Sequence, residues 1–88
     1  MDKDPLILLI DDEPQILRAL KTILSAGRFK VISAVTGEQG IALAASQSPD
    51  IIILDLTLPD LDGIQVTEQI REWSTTPIIV LSVRDSER

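Results

Sequence analysis

The 88-residue chain contains no cysteine and no histidine. The first absence excludes disulfides and thiolate chemistry. The second removes the commonest general base and the commonest transition-metal ligand, so any metal here must be a hard cation held by oxygen. Aromatics are almost missing: Phe29 and Trp73 stand alone, too few for a surface that stacks nucleic-acid bases. Basic residues number eight against fourteen acidic ones, for a net charge of -6, and they are scattered along the chain. Neither a footprint for DNA or RNA nor a polybasic segment for anionic lipid is present. No apolar run approaches transmembrane length, and the acidic start "MDKDP" has no signal-peptide core. A cytoplasmic protein is expected, with residues 1–88 forming one domain. A domain of this size buries only about 60–65% of its unfolded surface, so modest stability is expected.

What the chain does have is a regular exchange of short aliphatic runs with helical patterns. "LILLI" at 6–10 is continuous and apolar, and it ends at Asp11 and Asp12. Ile16, Leu17, Leu20, Ile23 and Leu24 then repeat with the spacing of one helix face, with Pro14 in the first turn and Gly27 at the end. "KVISAV" at 30–35 reads as a second strand. Thr36 to Gln39 has the spacing of a capping box that opens a second helix, closed by Ser48-Pro49-Asp50. "IIIL" at 51–54 is a third strand, Pro59 to Gly63 a loop, and Val66, Ile70 and Trp73 mark the packed face of a third helix. "PIIVL" at 77–81 is a fourth strand, and "SVRDSER" suits the first turn of another helix. Aliphatic strands without alternation are buried on both faces, as in a parallel sheet covered by helices. The expected fold is α/β, a doubly wound parallel sheet.

Ligands of such sheets bind beyond the carboxyl ends of the strands, where strand order reverses. Asp11 and Asp12 follow the first strand, Asp55 the third, and Ser82 the fourth. If the first and third strands are neighbours, three carboxylates converge on one edge. Crowded carboxylates either hold their protons more tightly or share a cation. With oxygen ligands alone, that cation is Mg²⁺ or Mn²⁺, which also offers a place for phosphate oxygens. One carboxylate can then act as nucleophile on phosphorus. Each residue also has a plainer role: "DDEP" as a helix start, Asp55 as a cap, Ser82 bonded to backbone, Thr57 as an ordinary loop residue. Their shared edge of the sheet favours the site.

"LLIDDEP", "GEQGIALAASQSPDIIILDLTLPDLDG" and "PIIVLS" resemble, in order and spacing, the receiver domain of two-component response regulators, the CheY-like family. "REWSTTPIIVLSVR" is similar to members that carry a winged-helix DNA-binding domain, such as regulators of potassium uptake. The resemblance implies strands in the order 2-1-3-4. It implies that Asp11 and Asp12 hold Mg²⁺ together with Asp55 and the Thr57 backbone carbonyl. Asp55 falls on the phosphoacceptor, served by a sensor histidine kinase, and Ser82 on the hydroxyl that binds the phosphoryl group and switches the domain.

The family continues through a fourth helix, a fifth strand that brings a lysine to the phosphoryl group, and a fifth helix. This sequence stops at Arg88, and it is expected to be a truncated piece of a longer regulator. Lys3, Lys21 and Lys30 do not stand where that lysine belongs, and Val83 replaces the usual small residue. Two other readings stay open: a non-phosphorylated receiver-like interaction module, and a haloacid-dehalogenase-type phosphohydrolase. The latter needs a second carboxylate where Thr57 stands. The fourth strand is expected to present a bare edge, a template for a second copy. Dimerisation, exchange of elements or marginal stability should follow; a compact monomer with cooperative unfolding in ultracentrifugation and melting experiments contradicts this.

Overall fold

The computed structural model describes residues 4–81. Its elements are β1 (Leu6–Ile10), α1 (Pro14–Ala26), β2 (Lys30–Ala34), α2 (Gly37–Gln47), β3 (Ile51–Asp55), α3 (Gly63–Arg71) and β4 (Ile78–Leu81). All strand pairs are parallel, in the order β2-β1-β3-β4. The chain steps one way from β1 to β2, then back across to β3 and on to β4. Crossovers between parallel strands are right-handed. Reversing the direction of travel therefore puts α1 on one face of the sheet and α2 and α3 on the other.

This arrangement explains the unbroken aliphatic runs. Successive side chains of a strand point to opposite faces, and both faces of β1 are covered. Leu8 and Ile10 join Ile52, Leu54, Ala34, Ala44, Val66 and Ile70 under α2 and α3. Ile7 and Leu9 join Leu17, Leu20, Leu24 and Phe29 under α1. Burying an aliphatic side chain of this kind stabilises the fold by about 1.5–3 kcal/mol, so β1 is the spine of both cores. α2 lies so close to it that a Cβ on Gly40 would come 2.5 Å from the Ile10 side chain. Only glycine lets the helix approach to that distance.

Local details depart from the sequence expectations in two places. Thr36 caps α2, accepting the Gln39 N–H at 3.1 Å. The Gln39 side chain, however, reaches past it to the Val35 N–H at 2.9 Å, so the reciprocal box expected there is not closed. Trp73 was expected on the packed face of the third helix. It lies beyond the end of α3, 48% exposed, because the helix stops at Arg71. β4, expected to present a bare edge, has Ile79 and Val80 50% and 45% exposed. Among the described residues β4 pairs only with β3.

Gly27 does end α1, but with φ -87°, and the left-handed position falls on the next residue, Arg28, at φ 72°. There the chain turns so that Arg28 N–H meets the Ser25 carbonyl and Phe29 N–H meets that of Leu24. A side chain in this region costs roughly 1–2 kcal/mol. The greater unfolded-state freedom of glycine offsets about 0.5–1 kcal/mol of any gain from removing it. Arg28→Gly is therefore expected to stabilise the protein by about 0.5–1 kcal/mol, measured by urea unfolding; an unchanged or lower midpoint contradicts this.

Candidate functional site

The site is built where β1 and β3 end side by side. Their register pairs Ile10 with Leu54, so Asp11 and Asp55 leave the sheet as neighbours. Asp11 N–H still donates to the Ala34 carbonyl at 3.0 Å, which holds it against the β2 side as well. Asp55, the last residue of β3, pairs with Leu81 of β4. One carboxylate oxygen each from Asp11, Asp12 and Asp55 all lie within 4.8 Å of one another. Exposure is graded, with Asp11 buried, Asp55 half-buried and Asp12 open to solvent.

The electrostatics are unfavourable for three negative charges. At this spacing, like charges repel by about 3 kcal/mol per pair at an effective dielectric of ~20, less where one faces water. Burial raises the Asp11 pKa above the usual carboxylate range, and the charges of Asp55, Asp12 and Glu13 add to the effect. The hydrogen bond it accepts from the Glu13 N–H at 2.8 Å pulls the other way without reversing it. That same bond makes Asp11 serve the start of α1, where Glu13 is an N-cap with no capping side chain and Pro14 occupies the first turn.

The donor set fits a small hard cation. Trans ligands of Mg²⁺ are about 4.2 Å apart, twice a bond length of 2.0–2.1 Å, and the ion keeps several waters. Three carboxylates near that span, one of them at the solvent edge, can supply part of such a shell and leave the rest to water or phosphate oxygens.

The loop from β3 to α3 starts directly after Asp55. Gly63 N–H donates to the Leu56 carbonyl at 2.9 Å, and Thr57 and Asp62 form an isolated antiparallel bridge. Asp62 caps α3 with the reciprocal box that Thr36 lacks: it accepts from Gln65 N–H at 2.9 Å, and the Gln65 side chain accepts the Asp62 N–H. A Cβ on Gly63 would sit 2.8 Å from Leu56 Cα and 3.1 Å from the Asp55 carbonyl, so the helix starts hard against the strand end. Asp60 reaches across to α2, accepting the N–H of Gly37 at 2.7 Å and of Glu38 at 2.9 Å.

Thus Asp11, Asp12 and Asp55 come together as the sequence suggested. Thr57 stands in the loop that follows, while Ser82 and Val83 lie outside the described residues. The sequence reading missed Asp60 and Asp62. Asp62 and Gln65 carry a legible signature, an acid and an amide three residues apart ahead of an apolar helix. Asp60 has no such local signal.

The doubly wound sheet, with an acidic cluster at the carboxyl ends of its first and third strands, has the architecture of a receiver domain. The profile of the response regulator receiver domain matches residues 7–88, and the chain belongs to that family. It is 53% identical over 79 residues to the transcriptional regulatory protein KdpE of Mycobacterium tuberculosis, covering 90% of this chain and 35% of the relative. To the KDP operon transcriptional regulatory protein KdpE of Escherichia coli it is 46% identical over 81 residues, 92% of this chain and 36% of that one. The chain thus spans about a third of the length of these relatives. Among solved structures, chemotaxis response regulator CheY4 of Vibrio cholerae superposes with a TM-score of 0.89 at 26% identity, over 96% of this chain and 72% of that one. The BeF3-activated receiver domain of Klebsiella pneumoniae RstA gives 0.87 at 26% identity, over 93% and 70%. Receiver domains are signalling domains that bind Mg²⁺ at an acidic cluster and are phosphorylated by histidine kinases. No helix among the described residues is long and apolar enough to cross a membrane.

The raised pKa of Asp11 has a defined sign in stability. The folded protein holds this proton more tightly than the unfolded chain, so without metal the Asp11 contribution declines as pH rises through and above the ordinary carboxylate range. Asp11→Asn keeps an oxygen for the Glu13 N–H and carries no charge. In metal-free buffer it should melt higher than the parent at pH 7, with the difference shrinking towards pH 4. A variant that melts lower at pH 7 would contradict the account.

Proposed function

We propose that this chain is a phosphoacceptor receiver: Asp55 takes a phosphoryl group from the phosphohistidine of a sensor kinase. The observation that carries the reading is the meeting of three carboxylates, within 4.8 Å, at the carboxyl edge of the sheet. A carboxylate oxygen of Asp55 attacks phosphorus in line as the P–N bond to the kinase imidazole breaks; the imidazole leaves with the bonding pair and takes up a proton. The product is an acyl phosphate on Asp55. Asp11, Asp12 and Asp55, with the Thr57 backbone carbonyl, would hold Mg²⁺ (or Mn²⁺). When bound, the ion offsets the negative charge shared by the carboxylates and the phosphoryl oxygens, the main task in phosphoryl transfer.

The half-exposed Asp55 suits a nucleophile that must meet another protein, whereas buried Asp11 suits a ligand held in place. Ser82 follows Leu81, the β4 partner of Asp55 in register. In this reading its hydroxyl binds the new phosphoryl group and biases a switch between two surfaces. In this reading the protein works in the cytoplasm, with a sensor histidine kinase as partner. Control of transcription belongs to the relatives by name.

Incubation with a small phosphodonor and Mg²⁺, followed by intact-mass measurement, tests the proposal. One added phosphoryl group is expected, absent without Mg²⁺ and absent in Asp55→Asn. No adduct at saturating donor favours an interaction module that keeps only the receiver shape. Continuous release of phosphate from simple esters, with no accumulated adduct, favours a phosphohydrolase.

A further inference from the structure

The loop that carries Thr57 is tied to itself by the Thr57–Asp62 bridge and by the Gly63-to-Leu56 hydrogen bond. Leu58 and Leu61 of the loop pack against the core under α2 and α3. Asp60, at the tip of the loop, adds a directional tie to residues 22 and 23 positions away in sequence. Each of its oxygens takes one of the free N–H groups that begin α2, at Gly37 and Glu38. Beside this fork the contact is tight: a Cβ on Gly37 would come 2.9 Å from Val66 of α3 and 3.0 Å from Leu61 of the loop. The loop tip, the start of α2 and the body of α3 thus meet at a single joint.

We propose that Asp60 is a positioning residue for the cation pocket, its two oxygens locking the Thr57-bearing loop to the first turn of α2 and so setting the distance between the Thr57 carbonyl and the carboxylates of Asp11, Asp12 and Asp55. The role rests on the reading that these residues bind Mg²⁺. Both parts of it follow from geometry. A two-oxygen acceptor spanning two successive N–H groups fixes orientation as well as distance, which a single bond does not. The start of a helix carries partial positive charge, so a carboxylate is favoured there over a neutral acceptor. The hydrogen bonds from Glu38 and Gly37 hold the Asp60 pKa below the usual carboxylate range, so the clamp is ionised at neutral pH. Partners that orient a metal's ligands without touching the metal commonly change its affinity by roughly 10–100-fold when removed.

Calorimetric titration of Mg²⁺ into the 88-residue chain and three variants tests this, below the melting temperature of each. Asp60→Ala is expected to weaken Mg²⁺ binding about tenfold. Asp60→Asn keeps one acceptor oxygen and should fall between the two. Ile70→Val removes a buried methyl group from α3 without touching the Asp60 hydrogen bonds, and should lower the melting temperature while leaving the Mg²⁺ Kd unchanged. Wild-type affinity in Asp60→Ala overturns the proposal and leaves Asp60 as a helix cap alone. If Asp60→Ala does not fold, Asp60→Asn decides: weaker binding supports the clamp, and wild-type affinity overturns it. An equal loss of affinity in Ile70→Val shows that stability, not position, sets binding, and also overturns it. A parent chain that binds no Mg²⁺ at all refutes the cation reading itself, an outcome distinct from the others.

Discussion

The parallel pairing of β1 with β3 is the constraint on which the site depends. It sets Ile10 against Leu54, and the residues that follow, two from one strand and one from the other, are all aspartates. The backbone of Asp11 is also held on its other side by the Ala34 carbonyl. The apolar strength of the core is what makes this tolerable. Leu8, Ile10, Ile52 and Leu54 are fully buried, and their burial holds together two strand ends that repel one another. Stability is thereby given up at the acidic cluster.

The same pairing explains why so much of the fold was legible from sequence. A strand covered on both faces must be apolar at every position, so β1 and β3 read as unbroken aliphatic runs bounded by aspartate. Between them the period changes to that of a helix, with Pro14 and Ser48-Pro49 as punctuation. With alternating β and α segments, few sheet orders are open, and the resemblance selected the one observed. The acidic cluster followed from placing each aspartate at a strand's carboxyl end.

What escaped the sequence was set by contacts between distant residues or by one-residue choices at element ends. Trp73 continues the spacing of Val66 and Ile70, so periodicity put it on the packed face. The chain leaves the helix two residues earlier, and periodicity carries no information about where a helix stops. Gly27 predicted the end of α1 correctly, yet the left-handed turn falls on Arg28, because Gly27 itself still accommodates the last helical hydrogen bonds. Asp60 is one of two acids in the Pro59–Gly63 loop. Its partners, Gly37 and Glu38, are remote in the chain and contribute only backbone N–H groups, which leave no trace in residue identity.

These observations make the domain a device in which a hydrophobic spine holds acids in place and a loop, anchored to a helix start, completes their surroundings. The most direct test is anomalous diffraction from crystals of the 88-residue chain grown with Mn²⁺. The account predicts one strong peak bound by oxygens of Asp11 or Asp12, of Asp55, and of the Thr57 main chain. Well-ordered aspartates with no peak between them, at saturating Mn²⁺, would contradict it.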